Sequence, residues 1–135
     1  MTVYLGFDPG RDKCGIAVVD SQKNILHHEV AVSETVLETV GHLCEKHDVS
    51  LIILGNQTTA QQWQQKLQQN ISPPLAIALI NERNSSLEAR GRYWEMYPPS
   101  FTQKLLPKGM RLPPRPIDDL VAIILIERYL ASIEP

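Results

Sequence analysis

The sequence predicts an α/β fold in which a central mixed five-stranded sheet carries helices on both faces. Three observations predict it. Between Val3 and Val32, three β-rich runs follow one another across short polar turns. After Ser33, apolar residues at helical spacing alternate with short continuous apolar runs. The chain then closes on a strongly apolar helix. Neighbouring strands with short turns form an antiparallel meander, and alternating strand and helix units need a parallel arrangement.

The elements follow in order. Val3 to Asp8 is a buried strand, Cys14 to Asp20 a second, and Pro9-Gly10 with the charges after it supplies the turn. Asn24 to Val32 is a third strand after the polar turn "DSQKN". Ser33 is expected to cap a helix whose apolar face is Val36, Leu37, Val40, Leu43 and Cys44. Ser50 to Gly55 is a short strand whose lack of alternation indicates two covered faces. The glutamine-rich stretch Thr58 to Asn70, with Trp63 and Leu67 four apart, is a helix. Pro74 to Ile80 reads as another buried strand. Ser85 with Glu88 fits a capping box that opens a helix to about Tyr97. Six prolines fall between Tyr97 and Pro116, leaving a loop with room for a short helix around Ser100 to Leu106. Ile117 to about Ser132 is the closing helix.

Bulk properties bound the answer. A chain of 135 residues suits one domain, 1–135, with one core. With 43% hydrophobic and 21% charged residues it is an ordinary globular composition. A net charge of −2 gives no global sign of a nucleic-acid binder, although a local basic patch can sit on an acidic protein. Cys14 and Cys44 form no Cys-x-x-Cys pair and read as buried residues of a reducing compartment. No stretch approaches the roughly 20 apolar residues of a membrane span, and "MTVYLGFDPG" lacks the basic and apolar regions of a signal peptide. A cytoplasmic protein without membrane partners is expected. His27, His28, His42 and His47 show no metal-ligand spacing and read as structural or surface residues.

Three acidic positions stand out by where they fall. Asp8 ends the first strand, Glu82 follows the fifth, and Asp118, with Asp119 beside it, opens the last helix. With the first strand central, these points can converge on one sheet edge. Two carboxylates about 4 Å apart repel by about 4 kcal/mol at an effective dielectric near 20, so convergence calls for a counter-charge. Oxygen-only ligands suit Mg²⁺ or Mn²⁺, and one or two such ions make a phosphodiester-cleaving site. Taken singly, each acid has a plainer role. Asp8 can shape a turn, Glu82 can be a surface loop residue, and Asp118 and Asp119 can complement the helix dipole.

Three blocks carry a resemblance to a known family. "LGFDPGRDKCGIAVVD", "INERNSSLEA" and "IDDLVAIILIERYL" resemble, in order, the first hairpin, the Asp-Glu-Arg-x-Thr-Thr-x-x-Ala block and the closing helix of the YqgF/RuvX-type family. That family is described as pre-16S rRNA nucleases or Holliday-junction-resolvase-like proteins of the RNase H-like superfamily. The resemblance implies an RNase H-like fold and a metal-dependent nuclease. It puts the catalytic, metal-binding acids at Asp8, Glu82 and Asp118, with Asp119 as the alternative ligand. This sequence departs from the family pattern at Asn81, where an aspartate is usual, at Ser85 and Ser86, where threonines are usual, and after Gly55, where a Gly-x-Pro is usual.

Charge distribution points the same way. Between Arg83 and Arg115, seven basic residues (Arg83, Arg90, Arg92, Lys104, Lys108, Arg111 and Arg115) face two acidic ones, a local +5 flanked by Glu82 and Asp118. Phosphates are held mainly by Arg and Lys, so Arg83, Arg90, Arg92, Arg111 and Arg115, with Lys13 near Asp8, are the candidate nucleic-acid contacts. Tyr93, Trp94, Tyr97 and Phe101 are interleaved and can stack on bases or fill the core. Gly10 is expected to leave room for a phosphate or a metal-bound water near Asp8. The expected partner is structured RNA or branched DNA, bound by a monomer or a homodimer. Two alternatives remain: a nucleic-acid-binding module on the same fold that does not cut, and a sugar-kinase/actin-type nucleotide domain, for which the chain is short.

Overall fold

The computed structural model describes residues 1–107 and 110–134. Five strands, β1 (Val3–Asp8), β2 (Lys13–Asp20), β3 (Ile25–Val32), β4 (Leu51–Gly55) and β5 (Ala76–Ile80), form one sheet in the order β3-β2-β1-β4-β5. The helices are α1 (Val36–Lys46), α2 (Ala60–Asn70), α3 (Ser85–Met96), the short α4 (Phe101–Lys104) and α5 (Asp118–Ile133). The meander β1–β2–β3 is antiparallel, and β1–β4 and β4–β5 are parallel, as the order of short turns and helical crossovers requires. Asp20 fixes the second hairpin by accepting from the backbone N–H groups of Gln22 and Asn24, at 2.9 Å each.

Alternation along the strands divides the core in two. Leu5, Phe7, Cys14, Ile16, Val18, Ile52 and Leu54 face α1 and α2. Tyr4, Ala17, Val19 and Ile53 face α5 and α3. Helix α5 is buried continuously from Asp119 to Ile126, because the sheet lies on one side and α3 on the other; its all-round apolar sequence follows from that position. The sheet meets it with small residues. A Cβ at Gly6 would collide with the Ala122 carbonyl and the Ile126 side chain, so the main chains of β1 and α5 approach closely.

Several local expectations are corrected. β5 is an edge strand and only partly buried, with Leu79 46% exposed, because among the described residues no sixth strand flanks it. Ser33 does not cap α1. Its hydroxyl donates to the Gly10 carbonyl at 3.0 Å and lies 3.3 Å from Cys14 Sγ, so it ties β3 to the first turn instead. Ser85 does not form a capping box. It is buried at the start of α3, Asn84 occupies the cap position with φ 62°, and Glu88 pairs with Arg128. The box forms one helix later, between Ser100 and Gln103.

Candidate active site

Asp8 stands at the carboxyl end of the central strand, and sheet alternation turns its side chain toward the α5 face. Its register partner on β2 is Gly15, and Gly55 closes β4 on the other side. Both glycines are needed for close approach. A Cβ at Gly15 would collide with the main chain of Asp118 and Asp119. A Cβ at Gly55 would press on the Glu82 carboxylate, at 2.6 Å from Oε2. The two missing side chains therefore admit, on either side of Asp8, the N-terminus of α5 and the Glu82 side chain.

The loop that carries Glu82 is held at several points. Ser85 N–H donates to the Glu82 carbonyl at 3.0 Å, and Glu82 N–H donates to Asn56 Oδ1 at 3.4 Å. Asn81 Oδ1 accepts from Arg83 N–H at 2.9 Å, closing a local turn. From α5, Arg128 donates to the Asn81 carbonyl at 2.7 Å and to Glu88 at 2.6 Å. On the other side of the site, Gln57 donates to the Pro9 carbonyl at 3.0 Å and fixes the turn after Asp8. A Cβ at Gly10 would collide with the chain's own Lys13 carbonyl, so the tight turn after Asp8 needs a glycine here.

Asp8 senses both of the other acids. Burial, then the charges of Asp118 and Glu82, push the Asp8 carboxyl up to about 7. Burial raises Glu82 as well. Burial raises Asp118, with a further push from Asp119 and an opposing pull from its own backbone N–H and from Lys13. Among the described residues, no three His, Cys, Asp or Glu side chains are already gathered at the spacing of one metal shell. Mg²⁺ does not require such a cage. It keeps several waters and binds through one or two carboxylates together with substrate phosphate oxygens. An all-oxygen donor set, crowded enough to raise its own proton affinity, fits a hard divalent ion.

Asp119 has a different setting. It is buried, and both of its oxygens are engaged: one accepts from Arg115 at 3.1 Å and from Leu120 N–H at 3.0 Å, and the other meets His28 at 2.7 Å. It ties β3 and the proline-rich segment to the start of α5. The candidate basic residues divide similarly. Arg92 pairs with Glu127 and Glu95, and Arg115 lies over Tyr93 and Tyr97 as well as on Asp119. Arg111 donates to the carbonyls of Leu106 and Lys104. Lys13, Arg83 and Arg90 make no ion pair among the described residues, and Lys108 lies outside them. Of the aromatics, Tyr93 is core, Trp94 is half-buried, and Tyr97 and Phe101 are exposed.

Gly15, Gly55, Arg128 and the His28–Asp119–Arg115 cluster were not singled out from sequence. Arg128 had a signal, since it interrupts an apolar helix. The glycines had none until the strand register placed them beside Asp8.

The sequence matches the RuvX family, described as Holliday junction resolvase, over residues 2–132. The chain belongs to that family. Membership places it among nucleases of the resolvase type. Two solved structures of RuvC from Thermus thermophilus share the fold. One, in complex with a Holliday junction substrate, is 15% identical with a TM-score of 0.59, and the match covers 98% of this chain and 95% of that one. The other is 14% identical with a TM-score of 0.57, covering 97% and 95%. At these identities the likeness speaks for the fold, which is RNase H-like. No curated protein matches the sequence. Among the described residues, no helix is long and apolar enough to cross a membrane.

Proposed function

We propose that this protein is a divalent-metal-dependent nuclease that hydrolyses phosphodiester bonds in structured nucleic acid. Asp8, Glu82 and Asp118 would hold one or two Mg²⁺ or Mn²⁺ ions, and Asp119 orients the start of α5 instead of serving as a ligand. The observation that carries this reading is the Asp8 carboxyl, raised to about 7 by burial and by two neighbouring acids. A fold that spends stability to crowd carboxylates at the end of its central strand gains most when a cation joins them. When bound, that ion supplies the positive charge and Lewis acidity that phosphodiester hydrolysis requires.

The chain's own groups do the rest. Asp8 is held by the rigid central strand, so its position is set before substrate arrives. Glu82 and Asp118 reach it past Gly55 and Gly15. Asp8 must shed its proton to act as a ligand, which happens above about pH 7 in the free protein. Lys13 neighbours Asp118 and can meet a phosphate at the same edge. Arg83, one residue beyond Glu82, is exposed and extends the positive surface away from the acids.

The family description makes branched DNA of the Holliday-junction kind the first substrate to test, and a structured pre-16S rRNA precursor the second. Junction cleavage calls for two copies of the site, whereas RNA trimming needs one. The cytoplasm is the compartment this reading assumes. In the deciding experiment, wild type, Asp8→Asn and Glu82→Gln are incubated with a four-way junction and with a structured RNA in Mg²⁺ or Mn²⁺. Wild type is expected to cut one of them and both variants to lose at least about 100-fold in rate. Cleavage by both variants at the wild-type rate ends the proposal. Binding that persists in EDTA, with no turnover under any divalent ion, establishes the non-catalytic binding module instead.

A further inference from the structure

Away from the acids, α3 and the proline-rich segment enclose a second concavity. Leu87, Arg90, Gly91, Trp94, Pro99 and Arg111 line a groove of about 450 Å³. The first four residues are spaced i, i+3, i+4 and i+7, so they form one face of α3. It lies opposite the face that buries Ala89 and Tyr93 against α5.

Three features of the groove point to a ligand. The first is Gly91. Glycine inside a helix is destabilising relative to alanine, yet a Cβ here would meet nothing within 4 Å. Packing does not demand the glycine; the missing side chain only keeps the floor of the groove open. The second is a fixed aromatic and cation pair. The Trp94 indole N–H donates to the Arg111 carbonyl at 3.2 Å, and its ring meets Tyr93 edge-on at 5.0 Å. The Arg111 guanidinium is itself anchored on the carbonyls of Leu106 and Lys104 at 3.0 and 3.1 Å, with N–H donors to spare. The third is charge. Arg90 makes no ion pair among the described residues, and the acid that shares the lining, Glu95, pairs with Arg92. Two guanidinium groups beside a partly exposed indole match a ligand with flat rings and negative charge.

We propose that this groove receives an unpaired stretch of the nucleic acid that flanks the bond to be cut, with a base against Trp94 and phosphates on Arg90 and Arg111. The choice of ligand rests on the nuclease reading above. Helix α3 begins three residues after Glu82, and Trp94 lies nine residues further on, about 14 Å at 1.5 Å per residue. Stacking of this kind tolerates any sequence, because every base has a π-face.

The test uses a short fluorescein-labelled single-stranded oligonucleotide, as DNA and as RNA, and a blunt duplex as control, read by anisotropy. Gly91→Leu fills the groove from a position with free space around it. It is expected to melt at or above wild type, to bind the single strand at least about tenfold more weakly, and to bind the duplex unchanged. Arg90→Ala is expected to weaken single-strand binding and to reduce the salt slope by about 1. Gly91→Leu and Arg90→Ala that both bind the single strand like wild type overturn the proposal. So does a wild type that self-associates through this face, seen as a dimer in sedimentation that Gly91→Leu converts to monomer. Junction cleavage measured on the same preparations separates the two readings. Cutting with groove-independent binding removes only the groove, and groove-dependent binding without any cutting removes only the nuclease.

Discussion

Asp8 is an acid kept near the middle of its titration at neutral pH. Its carboxyl is raised from the ordinary 3.8 to about 7 by burial and by Asp118 and Glu82. The consequence for stability has a definite sign. The folded state holds this proton more tightly than the unfolded chain, so the contribution is full below pH 3.8 and is lost as pH rises through 7. In EDTA, wild type should therefore lose about 1–2 kcal/mol between pH 4 and pH 8 from this residue, after discounting for solvent screening. Asp8→Asn should remove that slope and melt higher than wild type at pH 8. Denaturant unfolding at a series of pH values checks it; parallel curves for the two proteins would show that Asp8 is not crowded. From sequence, Asp8 was as good a turn-former as a ligand. What sharpened it was the convergence of two other acids, each ambiguous alone and brought together by the strand order. Asp119 ran the other way. Beside Asp118 in the sequence it is the alternative ligand. One residue of helix, about 100° of rotation, turns it toward His28 and Arg115, so Asp119→Asn should cost stability, about 1–3 kcal/mol, before it costs chemistry.

At the scale of elements, the site depends on what two strands leave out. Gly15 faces main chain, which cannot move aside, whereas Gly55 faces the far end of the flexible Glu82 side chain. The two glycines should therefore respond differently to alanine. Gly15→Ala should lower the melting temperature by several degrees, because β2 and the start of α5 must separate. Gly55→Ala should melt within about 2 °C of wild type and yet lose cleavage, because only Glu82 is displaced. Equal melting of the two variants would contradict this account of the site. The periodicity of the sequence is enough to find the strands and helices of the described residues to within two or three residues. It misread β5 as buried, since a short apolar run reads the same at an edge as in the middle of a sheet. It also misplaces two caps, because Ser33 and Ser85 have the right chemistry but take other places once the chain closes: Ser33 donates to the Gly10 carbonyl, and Ser85 is buried as the first residue of α3 behind Asn84.

Across the whole molecule, the sheet brings its acidic end and its basic segment to adjoining surfaces. The local +5 between Arg83 and Arg115 was legible from charge counting. Which of those charges are available was not, because ion pairing depends on α3 lying against α5. Arg92 is held by Glu127, so Arg92→Ala should lower stability and leave the salt dependence of nucleic-acid binding nearly unchanged. Arg83→Ala should leave stability unchanged and reduce the slope of log K against log salt by about 1. Binding measured at several salt concentrations distinguishes them, and a reversal of the two behaviours would contradict the assignment. If the carboxylates around Asp8 form a divalent-cation site, thermal melting at pH 8, in EDTA and then in excess Mn²⁺, will reveal it. Wild type should gain stability as the ion binds the folded state, while Asp8→Asn, already the more stable protein in EDTA, should gain little. If Mn²⁺ raises both melting temperatures equally, or neither, the acids do not hold the ion and the claim is wrong.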